Sequence, residues 1–350
     1  ALGAGLLGIP HWHARRRRKK GRWGIVLRYH RVIPDAEPPA YYEMGIRTSL
    51  FKRQVDWIAE RLHVVSLEEL LWWKRTARTP PEDLVVLTFD DGYRDNLTEA
   101  SPILLRHHLP ATFYVTTDCL TERMPFWPET LDRLIRKTAR SQLSLDLFGT
   151  RLELPVASDE DRRVVCRELI DRLRKRPMVE IALGMERIAR SASVAVEEAR
   201  AETPAVMNEM DLRSLVASGF SIGSHTVTHP YLPAEDSGRQ ERELVESRRR
   251  LEEAIGRPVL DFCYPGGGYT AETVRLAEQA GYRSAVTSDL GITGFAADPF
   301  RLPRVGVGRA LATGPRGSFS GILMRAEVSG LFTALYRGRR RRATPPPTGG

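Results

Sequence analysis

Two adjacent carboxylates, Asp90 and Asp91, stand in the run Thr88-Phe89-Asp90-Asp91-Gly92-Tyr93, at the end of the aliphatic stretch 84–88. A stretch of that kind reads as a strand buried on both faces. Two carboxylates at its end are costly unless they are paired or bound to a cation, because desolvation disfavours both charges. Neighbours on an extended chain point to opposite sides, so one could hold a metal while the other stays free. Asp-Gly is also a common hairpin signal, which is the competing reading. A second group is Ser224-His225-Thr226-Val227-Thr228-His229-Pro230. Imidazoles four residues apart converge in a helical turn, a common zinc-binding geometry. Alone, this motif is weak and reads more readily as a capped surface turn. Joined to the Asp pair at another strand end, it makes a two-His, one-carboxylate site with open positions. Gly266, Gly267 and Gly268 after Tyr264-Pro265 would let the backbone approach a ligand, or simply make a turn. His30, closing the first apolar run, has no assignable role from its position alone.

The elements that must carry these residues alternate. Runs of strand length lie at 24–29, 84–88, 111–116, 220–223, 259–263, 284–287 and 302–305. Helical spacing occurs at 49–62, 66–78, 96–107, 211–218, 238–255 and 271–280. Ser66 and Glu69 form a capping signal, and Asp211 lies near a cap. Such alternation implies an α/β fold with a parallel sheet, open or closed into a barrel; functional residues at successive strand ends favour the barrel. The rhythm breaks over about 119–205, rich in Arg, Glu and Leu with helical spacing at 159–174 and 179–189. This stretch reads as a helical insertion, either a cap over the site or a passive surface addition. The expected organisation is a basic segment 1–22, a catalytic barrel 23–309, a C-terminal helix and basic run 310–342, and a disordered tail 343–350.

The net charge of +9 suggests a nucleic-acid binder until its location is considered. Residues 15–20 with Arg22, and Arg337 with 339–342, carry twelve positive charges; the chain between them is at about −3. Neither run interleaves the aromatic residues that stack on single-stranded bases, so no nucleic-acid partner is expected. Three widely spaced cysteines (Cys119, Cys166, Cys263) argue against a disulfide framework or a thiolate zinc site. No apolar run reaches the roughly 18–20 residues of a membrane span. The apolar residues 1–10 precede the basic run, the reverse of a signal peptide, and the chain does not begin with Met. A cytoplasmic or membrane-peripheral location is the expectation. The segment 319–336 beside the second basic run could lie on an anionic membrane, although packing on the barrel is simpler.

The motifs TFDDGY, SHTVTHP, FCYPGGGY and RLPR occur in the order found in polysaccharide deacetylases, the NodB-homology or family four carbohydrate esterases. The resemblance covers about 25–307 apart from the insertion. It implies a distorted (β/α) barrel and hydrolysis of N-acetyl groups from a sugar in a polysaccharide, oligosaccharide or lipid-linked glycan. It further implies a divalent cation on Asp91, His225 and His229, most simply Zn2+, with Co2+, Ni2+ or Fe2+ as alternatives, and Asp90 as general base. The chain departs from the family's pattern in two ways. No histidine follows Val305 to serve as acid, so the chain resembles the branch related to poly-N-acetylglucosamine deacetylases, and the acid role passes to His30. Cys263 stands where an Arg usually orients the base, and Arg304 is the expected substitute. Gly266 replaces a common Tyr; the Tyr264-Pro265-Gly266 turn is the expected oxyanion and substrate neighbour. Rival functions are an O-acetyl polysaccharide esterase with the same constellation, a phosphoester hydrolase, and a non-catalytic glycan-binding protein.

Overall fold

The structure, a computed structural model, describes residues 23–41, 44–118, 120, 126–201, 203–294, 297–307, 313 and 318–331. The chain opens with strands β1 (Trp23–Tyr29), β2 (Arg31–Ile33) and β3 (Gly45–Arg47), helix α1 (Thr48–Arg61), the short β4 (His63–Val64) and helix α2 (Leu67–Arg75). The Ser66 side chain accepts from the Glu69 amide at 3.0 Å, as the capping signal predicts. β5 (Leu84–Phe89) is buried at all six positions. A π-helical turn, Asn96–Ala100, then leads into α3 (Ser101–Arg106) and β6 (Thr112–Val115).

A lobe follows, made of α4 (Trp127–Lys137), strands β7 (Gln142–Leu147) and β8 (Thr150–Pro155), and helices α5 (Asp159–Leu173), α6 (Met178–Ala192) and α7 (Val196–Arg200). The second half alternates again: α8 (Glu209–Ala217), β9 (Ser221–Ser224), α9 (Ser237–Ile255), β10 (Asp261–Cys263), α10 (Ala271–Gln279), β11 (Ser284–Leu290), β12 (Thr293–Gly294), β13 (Leu302–Gly306) and α11 (Gly321–Val328).

Seven strands pair in parallel in the order β1-β13-β11-β10-β9-β6-β5, and β5 returns to β1 from Gly24↔Leu84 to Tyr29↔Phe89. The sheet is therefore a closed barrel, the alternative that functional residues at successive strand ends favour and that the resemblance implies. The period of two sorts its side chains. Ile25, Leu27 and Tyr29 of β1 pack outward with Phe51, Val55 and Ile58 of α1, whereas Val26 joins Val86, Tyr114, Cys263 and Val286 inside. Because all seven strands run parallel, their carboxyl ends lie on one rim, where barrel sites form.

The insertion departs from the purely helical reading. Residues 142–155 form an antiparallel hairpin, β7 with β8, whose turn residues Phe148 and Gly149 both have positive φ (54° and 81°). The signal was present: QLSLDL alternates polar and apolar, and its burial alternates with it. Arg- and Glu-rich helices on its C-terminal side masked this short period. The lobe has its own apolar core, in which Leu143, Leu152, Leu169, Leu173 and Ile188 meet.

At the C-terminal end, α11 covers only part of 319–336 and buries Met324 in the main core, so its described portion packs on the barrel. Residues 332–336 and both basic runs lie outside the described residues. Among the described residues no helix is long and apolar enough to cross a membrane.

Candidate active site

Asp90 and Asp91 follow β5, and His225 and His229 follow β9, with β6 between these two strands. A ligand oxygen of Asp91 and one nitrogen from each of His225 and His229 lie within 4.8 Å of one another. His225 Nε2 and His229 Nε2 stand 3.4 and 3.5 Å from the same Asp91 oxygen. The imidazoles converge, but not through a helical turn. Thr226 and His229 both take left-handed backbone, at φ 69° and 59°, and the Thr226 hydroxyl accepts the His229 amide at 3.0 Å. Asp91 is left-handed too, at φ 80°. Side chains disfavour that region, so three strained positions in one cluster mark a site that the surrounding structure must enforce.

The enforcement comes from two groups that motif reading missed. The Cys263 carbonyl lies 2.8 Å from His225 Nδ1; a carbonyl can only accept, so Nδ1 carries the proton and Nε2 keeps its lone pair. Glu243 of α9, almost fully buried, accepts the amides of Val227 and Thr228 (2.8 and 2.9 Å) and the Thr228 hydroxyl (2.6 Å). A signal for Glu243 existed: it sits on the buried stripe of α9 with Gln240, Leu244, Ser247 and Leu251, where a carboxylate needs a reason.

Asp90 points the other way, into the barrel. Arg304 of β13 grips it with two bonds, Nη1 to Oδ1 at 2.6 Å and Nη2 to Oδ2 at 2.7 Å. The guanidinium is itself fixed by the Thr287 carbonyl on Nε (2.8 Å) and approached by the Cys263 thiol (3.2 Å). Burial alone would raise Asp90, but the paired guanidinium outweighs it and brings the carboxyl down to about 2. Asp91 is likewise held well below the carboxylate range, the two imidazoles overcoming burial.

A second possible ligand set, Asp90, His225 and Cys263, also falls within reach. Its chemistry fits a cation less well. Both Asp90 oxygens are engaged by Arg304, and burial pushes the Cys263 thiol well up, keeping it protonated. Asp91, His225 and His229 offer a carboxylate and two imidazoles, a set that suits a divalent cation with open positions.

His30, after β1, lies 3.9 Å from Asp90 through Nε2. Burial pushes its imidazole down to about 4, with Asp91 and Asp90 pulling against that shift.

The Tyr264-Pro265-Gly266 turn is placed differently from the oxyanion expectation. The Tyr264 ring packs in the outer core and its hydroxyl donates to the Phe300 carbonyl at 3.1 Å. Its amide donates to Val286 in the strand ladder at 3.2 Å, and Pro265 has no amide hydrogen. Gly266, at φ 60°, is the remaining backbone donor of the three. The strand pairing of β10 with β11, which sequence spacing does not reveal, is what uses the Tyr264 amide.

The lobe reaches this rim through α4. The Phe126 and His229 rings meet edge to face at 5.1 Å, and the Tyr93 hydroxyl donates to Glu129, whose carboxyl burial pushes up to about 7.

The sequence model of the family described as polysaccharide deacetylase matches residues 77–143 and 192–285. It thus takes in both Asp residues, both His residues and Cys263, and leaves 144–191 of the lobe unmatched. The poly-beta-1,6-N-acetyl-D-glucosamine N-deacetylase of Escherichia coli K12 is 31% identical over 132 residues, 34% of this chain and 19% of that protein. The curated relatives are longer than the matched stretch, which spans 40% of one and 19% of another. Among solved structures, IcaB from Ammonifex degensii aligns with a TM-score of 0.53 at 18% identity, covering 89% of this chain and 97% of that one. The Streptococcus pyogenes deacetylase PplD, in complex with acetate, aligns with a TM-score of 0.53 at 18% identity, over 83% and 93%. The solved structures share the barrel and the family match falls on the segments that bear its charged rim, so this chain carries a polysaccharide deacetylase domain.

Proposed function

We propose that the chain is a metal-dependent N-deacetylase acting on an N-acetylated sugar of a polysaccharide, oligosaccharide or lipid-linked glycan. The observation that carries this reading is the division of labour between adjacent carboxylates: Asp91 faces two imidazoles and Asp90 faces a guanidinium and a third imidazole. Asp91, His225 and His229 would hold the cation, with zinc the simplest choice for that donor set. When bound, a divalent cation there supplies Lewis acidity to the acetyl carbonyl and makes water a usable nucleophile near neutral pH.

Asp90 takes the proton of the attacking water. Arg304 keeps its carboxylate ionised and fixed in orientation, and two oxygens with two lone pairs each leave it room to accept. His30 delivers a proton to the departing amine. An imidazole held at about 4 is neutral at pH 7, so it does not begin the cycle as a cation. The proton that Asp90 collects from water, 3.9 Å from Nε2, is the one His30 passes on. The cycle then balances without a proton from solvent: water loses one, the amine gains one, and both side chains return to their resting states. The Gly266 amide is the backbone group offered to the developing oxyanion.

The test is acetate release from N-acetylglucosamine oligomers by zinc-loaded protein, beside Asp90→Asn. Release that needs metal and vanishes in the variant supports the reading. Silence from a zinc-binding protein, together with release from O-acetylated xylan, would shift the activity to an esterase.

A further inference from the structure

Between the lobe and the barrel rim lies a cavity of about 380 Å³, in the range of roughly 300–1,000 Å³ typical of small-molecule sites. One wall is apolar, with Phe126, Met178, Ile181, Met185 and Val196; the opposite wall contains Thr228 and His229. The cavity therefore reaches the proposed metal centre at His229. We infer that it is a subsite for a hydrocarbon group of the substrate, borne either on the glycan or on the amide acyl group. The inference rests on the deacetylase reading and specifies its substrate.

Three observations favour a hydrocarbon over another sugar ring. The polar groups along the barrel wall are already engaged: Thr116 on the His225 carbonyl (3.1 Å), Arg239 on Glu243 (3.1 Å) and Thr228 (3.1 Å), and Asp118 with Arg250 (2.8 Å). A sugar entering there would exchange water for few hydrogen bonds, whereas an alkyl chain forfeits none. The two methionines offer flexible, polarisable surface suited to a chain of variable shape. Glu186, Glu197 and Arg200, the other charged lining residues, are exposed, leaving the apolar wall to the interior. Met178, Ile181 and Met185 also fall within 144–191, outside the family match, so this wall belongs to what is particular to the chain.

The test is calorimetric binding to the zinc-loaded chain, which does not depend on turnover. The probes are the methyl and octyl β-glycosides of N-acetylglucosamine and the methyl glycoside of N-octanoylglucosamine. Burial of each methylene should tighten binding about fourfold, so an octyl or octanoyl ligand should gain at least two orders of magnitude over the methyl, acetyl parent. A gain with the octyl glycoside assigns the hydrocarbon to the glycan, and a gain with the octanoyl amide assigns it to the acyl group. Ala182→Trp, which narrows the mouth from an exposed position of α6, should remove the gain. Val179→Trp, on the same helix but 67% exposed and away from the cavity, should not. Equal affinity for long and short ligands, or a gain that survives Ala182→Trp, overturns the inference. So does unmodified tri-N-acetylchitotriose binding more tightly than the octyl glycoside and losing that affinity in Ala182→Trp. Acetate release from the oligomers, measured in parallel, tells failure of the deacetylase reading apart from failure of the subsite.

Discussion

The barrel rim and the lobe solve opposite problems. At the rim, charged groups are buried and each is answered: Asp90 by Arg304, His225 by a backbone carbonyl, the 226–229 turn by Glu243. In the lobe the core is apolar and most ion pairs, such as Arg172–Glu168 and Arg187–Asp146, lie on the surface, although α4 turns the buried carboxylates Glu129 and Asp132 inward, the latter paired with Arg136 at 2.9 Å. Exposed pairs of that kind are worth about 0–1 kcal/mol each, so the lobe is held by its leucines. The difference teaches that one region is shaped to do chemistry and the other to be a stable wall beside it. Mutations should therefore separate activity from stability according to region.

The largest effect should come from the rim. Asp90→Asn should lower turnover by roughly 10²–10⁴-fold while zinc still binds, checked by acetate release alongside metal analysis of the dialysed protein. Retained turnover would remove Asp90 from the base role. Arg304→Ala leaves Asp90 buried and unpaired, which should cost about 3–5 kcal/mol of stability, read from urea denaturation, along with most activity. A lobe change of similar size should behave differently. Leu169→Ala empties a fully buried position and should cost about 2–5 kcal/mol, yet leave zinc affinity unchanged; weaker metal binding would show that the two regions are not separable in this way.

Smaller effects sharpen the same contrast. Glu243→Gln keeps its shape but weakens the hold on the 226–229 turn, and should reduce zinc affinity by roughly 10–100-fold, measured by competition with a chromophoric chelator. The smallest expected change is in the pH profile. Because His30 sits at about 4, below the ordinary histidine value, it is already neutral at pH 6 and stays so at pH 8. Turnover at saturating metal should then be level across that window. A mechanism requiring cationic His30 would instead lose about tenfold per pH unit over the same range, since the protonated fraction falls tenfold per unit above the pKa.

Much of the rim was legible before folding because its residues are consecutive at strand ends. Asp90 and Asp91 are neighbours, and His225 and His229 are four apart; metal chemistry constrains both types and spacing. Arg304 was reachable only by elimination, through the missing Arg at Cys263 and the resemblance that exposed it. Glu243 and the Cys263 carbonyl were not reached, since a helix stripe and a backbone oxygen carry no motif. The Tyr264 turn was read for proximity along the chain, but hydrogen bonding in the sheet spends its amide elsewhere.

By itself, then, the amino-acid order determined the alternation of strands and helices, the burial of β5 on both faces, and the residue types of the metal cluster. These follow from local periodicity and from the cost of burying charge, both of which are written in short windows. Only the tertiary structure decided that the sheet closes, through β1 pairing with both β5 and β13, and that closure sets Arg304 against Asp90 from 214 residues away. It also decided the left-handed turns that aim Asp91 and His229, and the cavity walled by Met178 and His229. Such features depend on which distant surfaces meet, and no spacing along the chain encodes that contact directly.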